Sequence, residues 1–368
     1  MRCTYCYAPP QAGAAMTEAT AFAALELGAR LNAASGGSCG VIFFGGEPLL
    51  HKDRIAVTIE RARQMERRQA GRFHFKVTTN GTLLDAAFIE FANRHDLLIA
   101  MSFDGVALAH DRHRRLADGS SSFDLLVDRL QLLLAARPYA SVLTVVTPET
   151  VGWLAESVEF LLDLGVRYLI ISLNYAGAWR EEHYRELKRQ YIRLGRRYVK
   201  WTLAERKFYL SPFEVKLSSH INRHNYRKER CELAQRQISV APTGHLFPCV
   251  QFVSAGPASD WCIGHVTTGI DETARARLYA MSQAEKETCR QCAIKERCNN
   301  TCGCLNWQTT GAVTGVSPVL CRHEQTLMPI ADRVGAILYR KRNALFLHKH
   351  YNAAYPVLSL LEDVPVAR

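Results

Sequence analysis

The chain lacks any long hydrophobic run. No stretch of about 18 or more apolar residues occurs, so a membrane-spanning helix is not expected. The chain begins with Met1-Arg2-Cys3-Thr4-Tyr5-Cys6-Tyr7. No apolar segment follows the basic residue, so this start does not resemble a secretory signal. Low-complexity segments are absent too. These absences make a cytoplasmic protein with no membrane partner the default expectation.

The signs of a nucleic-acid-binding protein are also missing. Lys and Arg number 46 against 35 Asp and Glu, a formal charge of +11, but the arginines are spread along the chain. No RNA-recognition aromatic motif, zinc-finger spacing or basic tail accompanies them. We therefore expect no nucleic-acid partner, and relate the charge to solubility or to an acidic partner.

Strand-like and helix-like segments alternate through the first half of the chain. The 368 residues, 48% of them hydrophobic, are enough for one large α/β domain and a smaller module. Alternation with helix-length connections predicts a parallel sheet with helices outside it, and ligands at the carboxyl ends of the strands. Strands are predicted at 41–44, 73–78, 97–102, 141–147 and 167–173, and helices at 14–34, 53–69, 85–94, 122–136, 150–164 and 180–207.

The second half differs because it is rich in cysteine. Twelve cysteines in a chain of this length, in a reducing compartment, indicate metal ligands before disulfides. One group is Cys231 and Cys249, with Gly244 between them, and the other is Cys289-x2-Cys292-x5-Cys298-x3-Cys302, followed by Cys321. Thiolates hold iron–sulfur clusters. Structural zinc is the alternative, but zinc takes four ligands per ion and these seven cysteines would leave a remainder.

This order of cysteines resembles the SPASM domain of radical S-adenosylmethionine (SAM) enzymes, over about residues 231–321. The resemblance implies two auxiliary [4Fe-4S] clusters. The outer cluster would be held by Cys289, Cys292, Cys298 and Cys321, and the inner one by Cys231, Cys249 and Cys302. No cysteine stands just before Cys231 to complete the inner set. The inner cluster therefore either has an open iron for substrate sulfur or is completed by His224, Cys262 or Cys304. An unused cysteine is usually a small buried hydrophobe, which is the alternative for Cys39, Cys262 and Cys304.

The N-terminal motif resembles the end of the radical SAM signature C-x3-C-x2-C. Cys3 and Cys6 match its last two ligands, and the first ligand would lie ahead of Met1. The resemblance implies a third [4Fe-4S] cluster that binds SAM. We interpret Met1 as an internal methionine of a longer reading frame. The competing hypothesis is a true truncation that leaves a site too weak for a catalytic cluster.

Four further motifs resemble the SAM-binding strand ends of the same family. Gly45-Gly46-Glu47-Pro48 is similar to the motif that receives the methionyl amine. The resemblance implies cofactor contacts also for Asn80, for Ser102 and Asp104 at the ribose or carboxylate, and for Arg114 at the carboxylate. No residue is assigned a catalytic role.

The implied architecture is an α/β fold in three parts. A partial (β/α)6 barrel of TIM type without its first strand covers 1–207, the auxiliary-cluster domain 208–328, and a C-terminal helical extension 329–368, with a helix from Pro329 to about Lys349. The family resemblance implies a peptide or protein substrate, one with cysteine if the inner iron is open, and an electron donor such as flavodoxin or ferredoxin.

Two reactions and one non-catalytic role compete. Anaerobic sulfatase maturases, which oxidise a Cys or Ser to formylglycine, typically carry Asp directly after the second SPASM cysteine, whereas Cys249 is followed by Val250-Gln251. This difference favours thioether or carbon–carbon crosslinking of a ribosomally made peptide. The incomplete first motif keeps a non-catalytic iron–sulfur or zinc scaffold as the other hypothesis.

Overall fold

The computed structural model describes residues 1–7, 15–33, 37–68, 70–221 and 231–355. The strands in these ranges are β1 (Arg2–Cys3), β2 (Cys39–Phe43), β3 (Phe73–Thr79), β4 (Leu97–Ser102), β5 (Arg114–Arg115), β6 (Ser141–Val146), β7 (Tyr168–Leu173), β8 (Tyr209–Leu210), β9 (Ser239–Val240), β10 (Leu246–Phe247), β11 (Gly264–His265) and β12 (Gly269–Ile270). The α-helices are α1 (Glu18–Ala33), α2 (Lys52–Arg67), α3 (Ala86–Arg94), α4 (Ala107–His113), α5 (Phe123–Ala136), α6 (Leu154–Asp163), α7 (Glu181–Leu203), α8 (Ser211–Ile221), α9 (Glu272–Gln283), α10 (Gly303–Thr310), α11 (Pro318–Arg340) and α12 (Ala344–Tyr351). None of these helices is long and apolar enough to cross a bilayer.

A six-stranded sheet organises the first half. Its order is β2-β3-β4-β6-β7-β8, and every neighbouring pair is parallel. Apolar side chains alternate along the strands, as in β3, where Phe73, Phe75 and Val77 are buried. Because all strands are parallel, their carboxyl ends and the loops that follow lie along one edge, which confirms the predicted α/β architecture of a partial barrel.

The sheet continues beyond the expected end of the barrel at residue 207. Its sixth strand is β8, and α8 follows directly and packs against β7 and α11. The Ser211 hydroxyl accepts a hydrogen bond from the backbone N–H of Ile171 at 3.0 Å and so joins the start of α8 to the sheet. Because β8 has only two residues, the sequence offers almost no periodicity from which to predict it.

The predicted helix from Pro329 to Lys349 is wrong. One helix, α11, begins at Pro318 and contains Pro329, and a second, α12, follows a break after Arg340. The Ser317 hydroxyl caps the start of α11 by accepting from the backbone N–H of Leu320 at 3.3 Å. The predicted helix began at Pro329, and the first turn is the position that proline prefers in a helix. Here the buried apolar face of α11, which includes Leu327 and Val334, runs past it.

The cysteine-rich part has a core of its own. Short antiparallel pairs, β9 with β10 and β11 with β12, frame this core. Phe252, Trp261 and Trp307 form an aromatic cluster with ring centroids 4.7–5.5 Å apart. Such packing gives the loops that carry the cysteines a fixed support.

Candidate cluster and cofactor sites

The N-terminal cysteine loop is joined to the segment that follows α4. β1 pairs antiparallel with β5, so that Cys3 lies opposite Arg114. The backbone N–H of Thr4 donates to the His113 carbonyl at 3.1 Å, and the Thr4 hydroxyl contacts His113 Nδ1 at 2.5 Å. The loop with Cys3 and Cys6 therefore has a defined place beside the sheet.

A buried carboxylate braces this loop. Asp104, 3% exposed, follows β4. Its Oδ2 accepts from the Tyr5 hydroxyl at 2.6 Å and from Arg114 Nε at 2.9 Å, and its Oδ1 accepts from the backbone N–H of Val145 at 2.9 Å. Asp104 therefore ties the cysteine loop, β5 and β6 together, and most of its acceptor capacity is in use.

Arg114 extends this brace to the first cysteine. Its Nη1 lies 3.9 Å from Cys3 Sγ, and its guanidinium carbon lies 5.4 Å from the centre of the Tyr5 ring. Burial raises the pKa of Cys3, and the positive charge of Arg114 opposes that shift. The arginine thus favours the thiolate, the form that binds iron.

The glycine motif follows β2 at the same edge of the sheet. Gly45 and Gly46 have φ of 98° and 54°, a region that favours glycine. Glu47 reaches across to the end of β3, where its Oε1 accepts from the Thr79 hydroxyl at 2.6 Å and its Oε2 from the backbone N–H of Asn80 at 2.7 Å. Glu47 therefore holds two loops together. Gly45 and Gly46 are exposed, so their backbone groups are accessible to a ligand.

The remaining predicted cofactor residues also lie at strand ends. Asn80 directly follows β3, and its Oδ1 accepts from the backbone N–H of Thr82 at 2.9 Å in a local turn. Ser102 is the last residue of β4 and half-buried, and Pro48 begins the short helix after Glu47. The structure thus brings the predicted motifs to one edge of the sheet. The cofactor contact of each residue stays a prediction.

The inner cysteines form a compact group. Cys302 Sγ and Cys304 Sγ are 3.4 Å apart, and Cys304 also hydrogen-bonds to Cys249. Cys231, Cys302 and Cys304 line one small cavity. The hydrogen bond from Cys304 lowers the pKa of Cys249 to about 7 and also lowers the pKa of Cys302, whereas burial raises the pKa of Cys231 to about 11.

Tyr7 directly follows Cys6 in the chain and is affected by thiols of the inner group. Its pKa is raised by burial and by the thiols of Cys249, Cys6 and Cys304, which are all close enough to act on its hydroxyl. The sequence analysis assigned nothing to Tyr7, since a single tyrosine after a cysteine carries no pattern. Thiols of both cysteine sites thus lie within electrostatic reach of the Tyr7 hydroxyl.

The outer cysteines surround a cavity of about 450 Å³. Cys289, Cys292, Cys298 and Cys321 line it together with Glu324. Cys289 ends a short 3₁₀ turn, Cys292 lies in the loop after it, and Cys298 directly follows a second 3₁₀ turn. Cys321 lies in the first turn of α11. Four thiols around one cavity match the donor set and the space of an iron–sulfur cubane.

A buried ion pair joins this cavity to the barrel part. Lys216 Nζ of α8 lies 2.7 Å from Glu324 Oε2 of α11, and both side chains are at most 6% exposed. Burial raises the pKa of Cys298, with Glu324 raising and Lys216 lowering it. The pair therefore lies within electrostatic reach of the outer thiols, and no sequence pattern indicated it.

The outer cysteine group has donors and space for an iron–sulfur cluster. In the ranges that the structure describes, no group of three or more His, Cys, Asp or Glu side chains is arranged to hold a metal ion. The cavity at the outer group has room for several atoms. The outer donor set thus suits a [4Fe-4S] cluster.

Together these features define a class of protein: a partial α/β barrel with cysteines and a glycine motif at its ligand-binding edge, followed by a second part that holds further cysteine groups. The family model described as Radical SAM superfamily matches residues 1–161. The first 161 residues of the chain are thus similar to this superfamily.

Curated relatives include enzymes of two kinds. The chain is 26% identical over 133 residues to a cysteine-type anaerobic sulfatase-maturating enzyme of Clostridium novyi, covering 36% of this chain and 35% of that protein. It is 26% identical over 133 residues to the radical SAM cyclopropyl synthase TigE of Paramaledivibacter caminithermalis, covering 36% of this chain and 27% of that protein. The chain thus spans about a third of the length of these two relatives.

Solved structures resemble the chain over most of its length. Native anSMEcpe with bound AdoMet, at 17% identity, has a TM-score of 0.76 and covers 92% of this chain and 96% of that one. Streptococcus suis SuiB bound to the precursor peptide SuiA, at 13% identity, has a TM-score of 0.57 and covers 87% of this chain and 72% of that one. Both likenesses extend through the cysteine-rich half and show a shared fold.

Proposed function

We propose that this protein is a radical SAM maturase that crosslinks a ribosomally synthesised peptide through a thioether or carbon–carbon bond. When bound, the cluster and SAM supply a 5′-deoxyadenosyl radical, which abstracts a substrate hydrogen. Flavodoxin or ferredoxin is the proposed electron donor. A peptide substrate is supported by the precursor peptide bound to SuiB, a protein that shares the fold.

The observation that carries crosslinking over formylglycine formation is the residue after Cys249. Val250 has no atom that can accept a proton, and its backbone N–H, with that of Gln251, hydrogen-bonds to the Cys249 thiol. In sulfatase maturases an Asp at the matching position is expected to act as a base. Here this position supports the sulfur and offers no base.

The N-terminal residues have positioning roles in this proposal. Asp104, Tyr5 and Arg114 hold the loop of Cys3 and Cys6 against the sheet. Gly45 and Gly46 present backbone groups to the methionyl end of SAM, and Ser102 a hydroxyl to its ribose or carboxylate. Arg114 donates a hydrogen bond from Nε to Asp104, so only its two terminal nitrogens remain to bind the SAM carboxylate.

Sulfatase maturation is the second candidate, because curated relatives carry that name. Two synthetic peptides separate the reactions: a cysteine-containing precursor peptide and a peptide with a sulfatase cysteine motif. Each is incubated anaerobically with SAM and reductant, and the products are sequenced by mass spectrometry. We expect the precursor peptide to lose two hydrogen atoms and the sulfatase peptide to stay unchanged. Conversion of the sulfatase cysteine to an aldehyde, with an unmodified precursor, would overturn the proposal.

A further inference from the structure

The inner cysteine group contains a fourth thiol. Cys304 lies outside the three-cysteine pattern, yet its Sγ is 3.4 Å from Cys302 Sγ and it hydrogen-bonds to Cys249. The three sulfurs are therefore contiguous, and Cys231 lines the same small cavity as Cys302 and Cys304.

The backbone fixes both sulfurs of the Cys302-Gly303-Cys304 segment. Cys302 is the non-helical residue before α10, and Gly303 and Cys304 open that helix. Gly303 packs so closely that a Cβ would lie 2.7 Å from Leu233 Cδ2 and 3.0 Å from Val313 Cγ1. Because Leu233 is two residues beyond Cys231, this contact also sets the approach of the Cys231 segment. Cys304 is thus held in the group by packing.

The other cysteines and the histidine that could supply a fourth inner ligand either have contacts elsewhere or lie outside the described residues. The Cys262 thiol donates to the Gly264 carbonyl at 3.5 Å, within its own loop. Cys39 lies against Gly28, where an added Cβ would come within 2.7 Å of its Sγ. His224 lies outside the described residues.

We infer that Cys304 is the fourth ligand of the inner cluster, which is then held by Cys231, Cys249, Cys302 and Cys304. Four thiolates saturate a [4Fe-4S] cubane. No iron of the inner cluster is left for a substrate sulfur, so the peptide does not bind there through a cysteine. The inference rests on the proposed function only in requiring that an inner cluster forms.

The test uses the sensitivity of an open iron to oxidation. The parent is the full chain with Cys3→Ala and Cys6→Ala, which removes the N-terminal cluster and its SAM-binding iron. Anaerobically loaded protein is treated with a mild excess of ferricyanide, and electron paramagnetic resonance records any [3Fe-4S] signal. We expect no signal from the parent and a clear signal once Cys304→Ala is added. Cys262→Ala, the matched control, behaves like the parent.

Two results would overturn the inference: a [3Fe-4S] signal already present in the parent, or equal behaviour of Cys304→Ala and Cys262→Ala. If Cys304→Ala loses its clusters or fails to fold, the inference is tested on the unmutated protein. Alkylation followed by mass spectrometry then measures how strongly each cysteine is protected. Cys304 is then expected to be protected as strongly as Cys302 in loaded protein and alkylated after chelation of iron, while Cys262 changes little. Equal alkylation of Cys304 in both states refutes the assignment. Neither experiment measures peptide modification, so this failure is distinct from failure of the proposed function.

Discussion

The brace around Asp104 makes the most informative stability prediction. The Asp104→Asn substitution keeps the shape of the side chain and removes its charge. Arg114, 6% exposed, then loses its buried anion, and the Tyr5 hydroxyl loses its charged acceptor. Breaking a buried pair by removing one partner costs about 3–5 kcal/mol. We expect the free energy of unfolding to fall by about that amount.

The matched control is the exposed pair of Arg206 and Asp163. Their side chains are 34% and 63% exposed and lie 3.1 Å apart, so Asp163→Asn should cost about 1 kcal/mol or less. Both variants are compared with the parent by anaerobic urea unfolding, followed by circular dichroism at matched iron content. If Asp104→Asn unfolds like the parent but binds SAM more weakly, Asp104 is a cofactor contact and the brace argument is refuted.

Three further predictions follow from single contacts. Glu324→Gln and Glu214→Gln each break a buried Lys–Glu pair and should cost about 3–5 kcal/mol in unfolding free energy. In a potentiometric titration, only Glu324→Gln should move the outer-cluster potential, upward, because its carboxylate lines that cavity; an equal shift in both variants contradicts this. Gly105→Ala puts a Cβ 2.0 Å from a neighbouring side chain, at a backbone φ of +104°. Thermal unfolding should therefore show a loss of about 1–3 kcal/mol in the free energy of unfolding, whereas Gly40→Ala should lose less than about 0.5 kcal/mol. Equal losses in the two variants would be inconsistent with this packing. In cluster-free protein, alkylation of Cys249 should rise with a midpoint near its pKa of about 7, and a midpoint at about 8.5, typical of a free thiol, would argue against its hydrogen bond.

The strands were predictable where their hydrophobic pattern is long. Leu97–Ser102 has the predicted bounds, and β3 differs from the prediction by one residue. Two-residue strands such as β8 carry no pattern, so only tertiary packing reveals them. The helix α11 was misplaced because Pro329 lies inside it, where the buried face of the helix outweighs the local cost of proline.

The site was predictable as motifs but not as contacts. The sequence brought out the two cysteine groups by their spacing, and the outer ligand set and the glycine motif by resemblance to a known family. It could not show that Asp104 pairs with Arg114, or that Cys304 joins the inner group, because both contacts depend on how separate loops pack. Buried pairs such as Lys216 with Glu324 are separated by 108 residues and leave no local signal.

The most direct test of the whole account is cleavage of SAM. The protein is loaded with iron and sulfide, reduced and incubated with SAM, and 5′-deoxyadenosine is measured by chromatography. The account predicts 5′-deoxyadenosine from the wild type and none from Cys6→Ala with its auxiliary clusters intact. Absence of the product from fully loaded wild type, or equal amounts from both proteins, would contradict it.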